Sequence, residues 1–172
     1  MSLNNTTLTV ALVSGETNAF GAVTQSINFT HQAQSISNPI TNGTASGQGN
    51  HSMEVTGTAG TGGVTIDLTA VVGGLDGKTR DFSNGGSGGS VKTLIIENLD
   101  ATNTITITQG SNGWTGFSGA ATGFDYPIEP GGCLVIHSPG SGKAVSSTNK
   151  DFTLTGSAGT PAYKMSIVGV AA

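Results

Sequence analysis

Three histidines, His31, His51 and His137, are the side chains best suited to acid–base or metal chemistry at neutral pH. None stands in a His-x-His or His-Glu-x-x-His arrangement, and one cysteine, Cys133, cannot make a Cys-x-x-Cys pair. The spacing that lets one element present two ligands to a transition metal is therefore missing. A Ser/His/Asp triad has no fixed chain order, so its nucleophile must be sought by local frame. Gly-x-Ser-x-Gly occurs around Gly86-Ser87-Gly88, and Gly140-Ser141-Gly142 is a near match. Neither lies between a strand and a helix, the setting that exposes such a serine. Asp76, Asp81, Asp100 and Asp125 could each join loop carbonyls around Ca²⁺, but no Asp-x-Asp-x-Asp-Gly loop gathers six to eight oxygens. Glu16, Glu54, Glu97 and Glu129, beside six aspartates, show no pairing suited to glycoside hydrolysis. The glycines at 85–89 lack the Lys-Ser/Thr of a phosphate-binding loop. We expect no catalytic, cofactor-binding or metal-binding residue, no cofactor, and no enzyme.

The remaining candidates are aromatic. Trp114, Phe117, Phe124 and Tyr126 lie among glycines in residues 110–130. Such a group could stack on a sugar ring. It could equally cap a core or line a subunit interface, the role favoured here because aromatic area dominates both settings.

These residues need a scaffold, and the composition describes one. The chain has 172 residues, long enough for a substantial single core. Charged residues are 9%, against about a quarter in an ordinary soluble domain. Glycine occurs 28 times. Thr and Val favour strands and Gly favours tight turns, so the chain reads as all-β. Net charge is −4 and only six residues are Lys or Arg, which excludes a phosphate-binding patch for nucleic acid and argues against an anionic membrane surface. One cysteine permits no internal disulfide, and its place in a core strand leads us to expect it buried. There is no positively charged, apolar leader and no run of about 18 apolar residues, so synthesis in a cytoplasm without a signal peptide or membrane span is expected. Asn-x-Ser/Thr sequons at Asn4, Asn5, Asn28, Asn42 and Asn50 are then chance products of composition.

The densest apolar stretch is 91–137. Strands are expected at 91–99, 104–108 and 133–137, the first two joined as a hairpin through Asn98-Leu99-Asp100-Ala101-Thr102-Asn103. Upstream, strands are expected at 6–13, with a break at 14–18, and at 22–35, where His31 sits and Phe20 would plug the core. Residues 38–50 read as a loop. Strands 52–58, with Met53 and Val55 on one face, and 64–72 form a second expected hairpin. Residues 73–90 resemble a flexible linker because of their glycines. Downstream, 144–147 and 151–155 suggest a short pair. Residues 162–170 suggest a final strand closing a sheet, with Tyr163, Met165, Ile167 and Gly169 on one face. Roughly ten to twelve short strands at this spacing indicate an antiparallel β-sandwich, jelly-roll-like, with little or no helix. We expect one domain over 1–172 with a Gly/Ser-rich crossover at 83–90, the alternative being two β subdomains over 1–75 and 91–172.

The order Leu94-Ile95-Ile96-Glu97-Asn98-Leu99, Ile105-Thr106-Ile107, Ile128-Glu129-Pro130-Gly131-Gly132 and Ile136 resembles small β-sandwich virion proteins of tailed bacteriophages, over about 50 residues. The resemblance implies a capsid decoration (cement) protein that binds the major capsid protein and resides in the virion. Scarcity of edge-protecting charge agrees with assembly. The expected state is a homo-oligomer, a trimer for preference, without nucleic acid or membrane as partner. The alternatives are a carbohydrate- or receptor-binding module using Trp114, Phe117, Phe124 and Tyr126, and a self-assembling shell or tail subunit.

Overall fold

The computed structural model describes residues 14–20, 23–29, 40–74, 76–119 and 123–171, the first two segments as backbone only. The strand expected at 6–13 and all of 30–39, His31 included, lie outside the described residues, as do the side-chain faces expected over 20–35. Ser14–Phe20 (β1), whose residues 14–18 are expected as a break, is a strand paired with Val23–Phe29 (β2). The antiparallel ladder satisfies every other backbone group there, which outweighs the turn preference of Gly15 and Asn18.

Short strands follow at Thr41–Asn42 (β3) and Gln48–Gly49 (β4), which pair in parallel. The sandwich proper begins with His51–Thr58 (β5) and Val64–Asp67 (β6). After Val71–Val72 (β7) and Thr79–Arg80 (β8) come Ser90–Asn98 (β9), Ile105–Gln109 (β10), Asp125–Ile128 (β11) and Cys133–His137 (β12). Lys143–Ala144 (β13), Asp151–Gly156 (β14) and Ala162–Val170 (β15) complete it. No helix occurs among the described residues.

Two sheets carry the core, in the orders β12-β9-β15-β5 and β11-β10-β14-β6. If the eight strands of these sheets are counted in chain order, the first pairs with the last (β5 with β15) and the second with the seventh (β6 with β14). The third pairs with the sixth (β9 with β12) and the fourth with the fifth (β10 with β11). A long hairpin rolled up on itself produces this order, and it is a jelly roll. The all-β sandwich read from the sequence is therefore the fold.

The local pairings read from sequence are not. β9 and β10 lie in opposite sheets, so 98–104 is an inter-sheet crossing and not a hairpin turn. β5 and β6 are separated in the same way, and the pair expected between 144–147 and 151–155 is absent because β13 joins β9 while β14 joins β10 and β6. β15 lies between β9 and β5, so the strand expected to close a sheet is interior.

The core follows the period of two. Leu94 and Ile96 of β9, Ile105 and Ile107 of β10, Leu154 of β14 and Met165 and Ile167 of β15 are fully buried between the sheets. Each such side chain contributes about 1.5–3 kcal/mol by leaving water. Tyr163 joins them, and Met53 and Val55 pack against the cluster. Cys133 corrects its expectation. Leu134 and Ile136 are the residues of β12 that pack on the core, so Cys133 and Val135 point out and are exposed.

Residues 73–90 are not a loose linker. Phe82 is fully buried and its N–H donates to Leu68 O at 2.9 Å. Asp81 Oδ1 accepts from the Ser83 N–H and hydroxyl at 2.8 and 2.6 Å, and Oδ2 accepts from Gly85 N. The chain winds so tightly that a Cβ at Gly89 would stand 2.1 Å from Phe82 O. Glycine is chosen here for close approach, not for slack.

Candidate functional site

The four candidate aromatics come together at one end of the sandwich. Trp114 is fully buried, and its indole N–H donates to Ala144 O at 2.9 Å. Its ring meets Phe117 edge-on, centroids 5.1 Å apart, and Phe117 stacks on Phe124 at 4.7 Å. Phe124 stacks in turn with Tyr126 at 6.2 Å, and Phe152 of β14 abuts Phe117 edge-on at 5.1 Å. The row runs from interior to surface, and only its last member, Tyr126, is exposed. Trp114 thus has no face to offer a ligand, and the group serves mainly as a packed cap. The β10–β11 connection holds it, with the Phe124 N–H donating to Gln109 Oε1 at 3.0 Å.

Residues singled out for chemistry are dispersed. Among the described residues no three His, Cys, Asp or Glu side chains gather in a way that could hold a metal ion. Asp76 takes Arg80 at 2.6 Å, and Asp100 accepts from the Thr102 and Asn103 N–H groups at 2.8 and 2.7 Å; both carboxyls are thereby held below the usual range, Asp76 chiefly by the Lys78 N–H. Asp125 is exposed on β11. Gly86-Ser87-Gly88 and Gly140-Ser141-Gly142 lie in turns, without a histidine bonded to either serine.

Two histidines are set in unexpected surroundings. His51 Nδ1 accepts a hydrogen bond from Arg80 Nε at 3.2 Å, and Arg80 is itself buried. His137 Nδ1 shares one with Thr93 Oγ1 at 3.0 Å, while its Nε2 is buried without a partner. Burial lowers the pKa of both, and the Arg80 charge lowers that of His51 further. Groups held neutral in the fold stabilise it above their unfolded pKa near 6.5, and that stability is lost as pH falls through the lower folded values. We expect the urea midpoint to decrease between pH 7 and pH 5, above the range where the carboxyls of Asp67, Asp76 and Asp100, held low by their hydrogen bonds, act. In His51→Gln the decrease should be smaller. A midpoint flat across that window would contradict the assignment.

A feature that single-residue searching missed is the outer face of the β11-β10-β14-β6 sheet. Thr65, Thr153 and Thr108 stand in one cross-strand row, and Thr155 and Thr106 in the next. Neighbours lie about 4.8 Å apart across strands and about 7 Å apart along them. Thr65 and Thr153 hydroxyls meet at 3.3 Å. Pro127 and Asp125 of β11 end the rows, and Asp125 is the only charge on them. The signal was in the sequence: Thr104–Thr108 and Thr153–Thr155 alternate with aliphatics, but only the register shows that the threonines share rows.

Fold and face together define a jelly-roll sandwich with one side that carries two rows of threonine hydroxyls. No family model, curated protein or solved structure matches the chain.

Proposed function

We propose that this chain is a structural virion protein of the capsid-decoration class, docking on the shell through the threonine face of its four-stranded sheet. The observation that carries the reading is the two in-register threonine rows, with no lysine or arginine on them. Each hydroxyl can donate and accept, and each methyl packs, so the threonines of both rows can be covered without stranding a charge, with Asp125 left at the rim on the edge strand. Jelly rolls build capsid and lectin domains alike, so the fold alone does not choose. The partner is the major capsid protein, and no cofactor or turnover is involved.

The test is co-sedimentation with decoration-free shells of the major capsid protein encoded alongside this chain. Wild type should bind. Thr65→Lys/Thr108→Lys should bind at least about tenfold more weakly, since a cation buried at such a contact must be paired, with an unchanged melting temperature. Equal binding by both proteins would defeat the reading. The carbohydrate-binding alternative now rests on Tyr126, the exposed end of the aromatic row. Glycan-array retention that is lost in Tyr126→Ala would favour it.

A further inference from the structure

The sandwich has four edges, and three of them are guarded. β11 carries Pro127, which has no N–H to offer, and the charge of Asp125. β6 has four residues and ends at Asp67, held by Lys150 at 2.6 Å. β5 carries Glu54, whose carbonyl accepts from the Gly74 N–H at 2.8 Å, so the chain itself lies along that edge. β12 is Cys-Leu-Val-Ile-His, without lysine, proline or acid, and among the described strands it pairs with β9 alone. Natural sheets seldom leave such an edge bare.

We propose that β12 pairs antiparallel with β12 of a second copy, about a twofold axis through Val135. The strand is suited to itself. It has no formal charge to oppose its own image at neutral pH. Val135 is 37% exposed and faces Ile95 across β9. Pairing therefore sets Ile95, Val135, the partner's Val135 and the partner's Ile95 in one apolar row across the seam. Cys133 then stands opposite the partner's His137. Among the four edges of the two core sheets β12 is the unguarded one, and a twofold contact consumes it on both copies, so pairing through β12 closes as a dimer instead of growing into a fibre. This twofold pair is an alternative to the trimer expected from the sequence. It does not depend on the shell-binding reading, because the threonine face belongs to the other sheet.

Light scattering on the full chain at tens of micromolar should give a dimer. Val135→Lys places like charges directly opposite each other, and should weaken association at least about tenfold, while its melting curve matches that of wild type diluted until it is monomeric. Val135→Cys in a Cys133→Ser background sets two thiols on one face with Cβ atoms about 5 Å apart, too far for an unstrained disulfide but within reach of a short bis-maleimide, which should yield a cross-linked dimer. Wild-type Cys133 lies about 14 Å along the strands from its mate and should not cross-link. A monomeric or trimeric wild type, a dimer indifferent to Val135→Lys, or failure of Val135→Cys to cross-link would each overturn the proposal. Loss of shell binding with the dimer intact would count against the decoration reading alone.

Discussion

Trp114→Ala is expected to destabilise the fold by about 3–5 kcal/mol, lowering the melting temperature by roughly 6–20 °C for a chain of this size. The indole is fully buried, and Phe117 and Phe152 both rest on it. Little can move in to fill the gap. Gly116 lies so close that a Cβ there would be 2.2 Å from the ring, which means the backbone is already folded against the indole. Removing the ring also frees the Phe117–Phe124 stack from its floor. Trp114→Phe separates packing from hydrogen bonding. Ala144 O keeps a second donor, Asn149 Nδ2 at 2.9 Å, so losing the indole N–H leaves no bare carbonyl. That variant should lose under half as much. Thermal melts followed by circular dichroism decide the matter; a Trp114→Ala melt within two or three degrees of wild type, on the same size scaling, would refute the role of the indole as anchor.

Asn98→Ala should cost about 3 kcal/mol, at about 1 kcal/mol for each of three lost hydrogen bonds. Asn98 is 1% exposed at the end of β9, where the chain leaves one sheet for the other. Its Nδ2 donates to Asn103 O at 2.8 Å and to Ile128 O at 3.0 Å, and its Oδ1 accepts from Asp100 N at 3.0 Å. One side chain therefore ties β9, the crossing loop and β11 together. Alanine leaves a donor and two acceptors unmet in a place water reaches poorly. Asn98→Asp should be at least as damaging, since it keeps the acceptor but turns a negative oxygen toward two carbonyls. Urea unfolding measures both. An Asn98→Ala midpoint equal to wild type would show that the crossing is held by other means.

These two residues also mark how far sequence reasoning reaches. The alternation of Ile105 and Ile107 with threonines, and of Tyr163, Met165 and Ile167 with polar neighbours, gave strand positions and buried faces directly, because a period of two is a local property. Pairing is not local in a jelly roll. Among its four nested pairs only β10 with β11 joins neighbours in the chain. Every hairpin inferred from adjacency therefore failed, including the one across Asn98. Its turn-forming residues are real, but they serve a crossing between sheets. Cys133 turns on parity: in a run of four apolar residues nothing local says which alternate set faces in. The glycines of 84–90 were read as slack because composition cannot reveal that Asp81 and Phe82 anchor their winding. Trp114, Phe117, Phe124 and Tyr126 are neighbours in the sequence, but their depth order, interior to surface, depends on contacts with Phe152 that no spacing reveals. The His51–Arg80 contact joins residues with no sequence pattern between them.

The interior position of β15 bears on how the protein is made. A ribosome releases β5 and β9 long before the strand that must lie between them. Until β15 emerges, β9 can pair only with β12 and β13, and β5 has no neighbour in its sheet, so the layer can close only when the strand between them arrives. Long-range closure of this kind is slow, so newly emerging chains pass through a period of exposed ladder edges in which a chaperone, or another nascent copy, can reach them before their own final strand does.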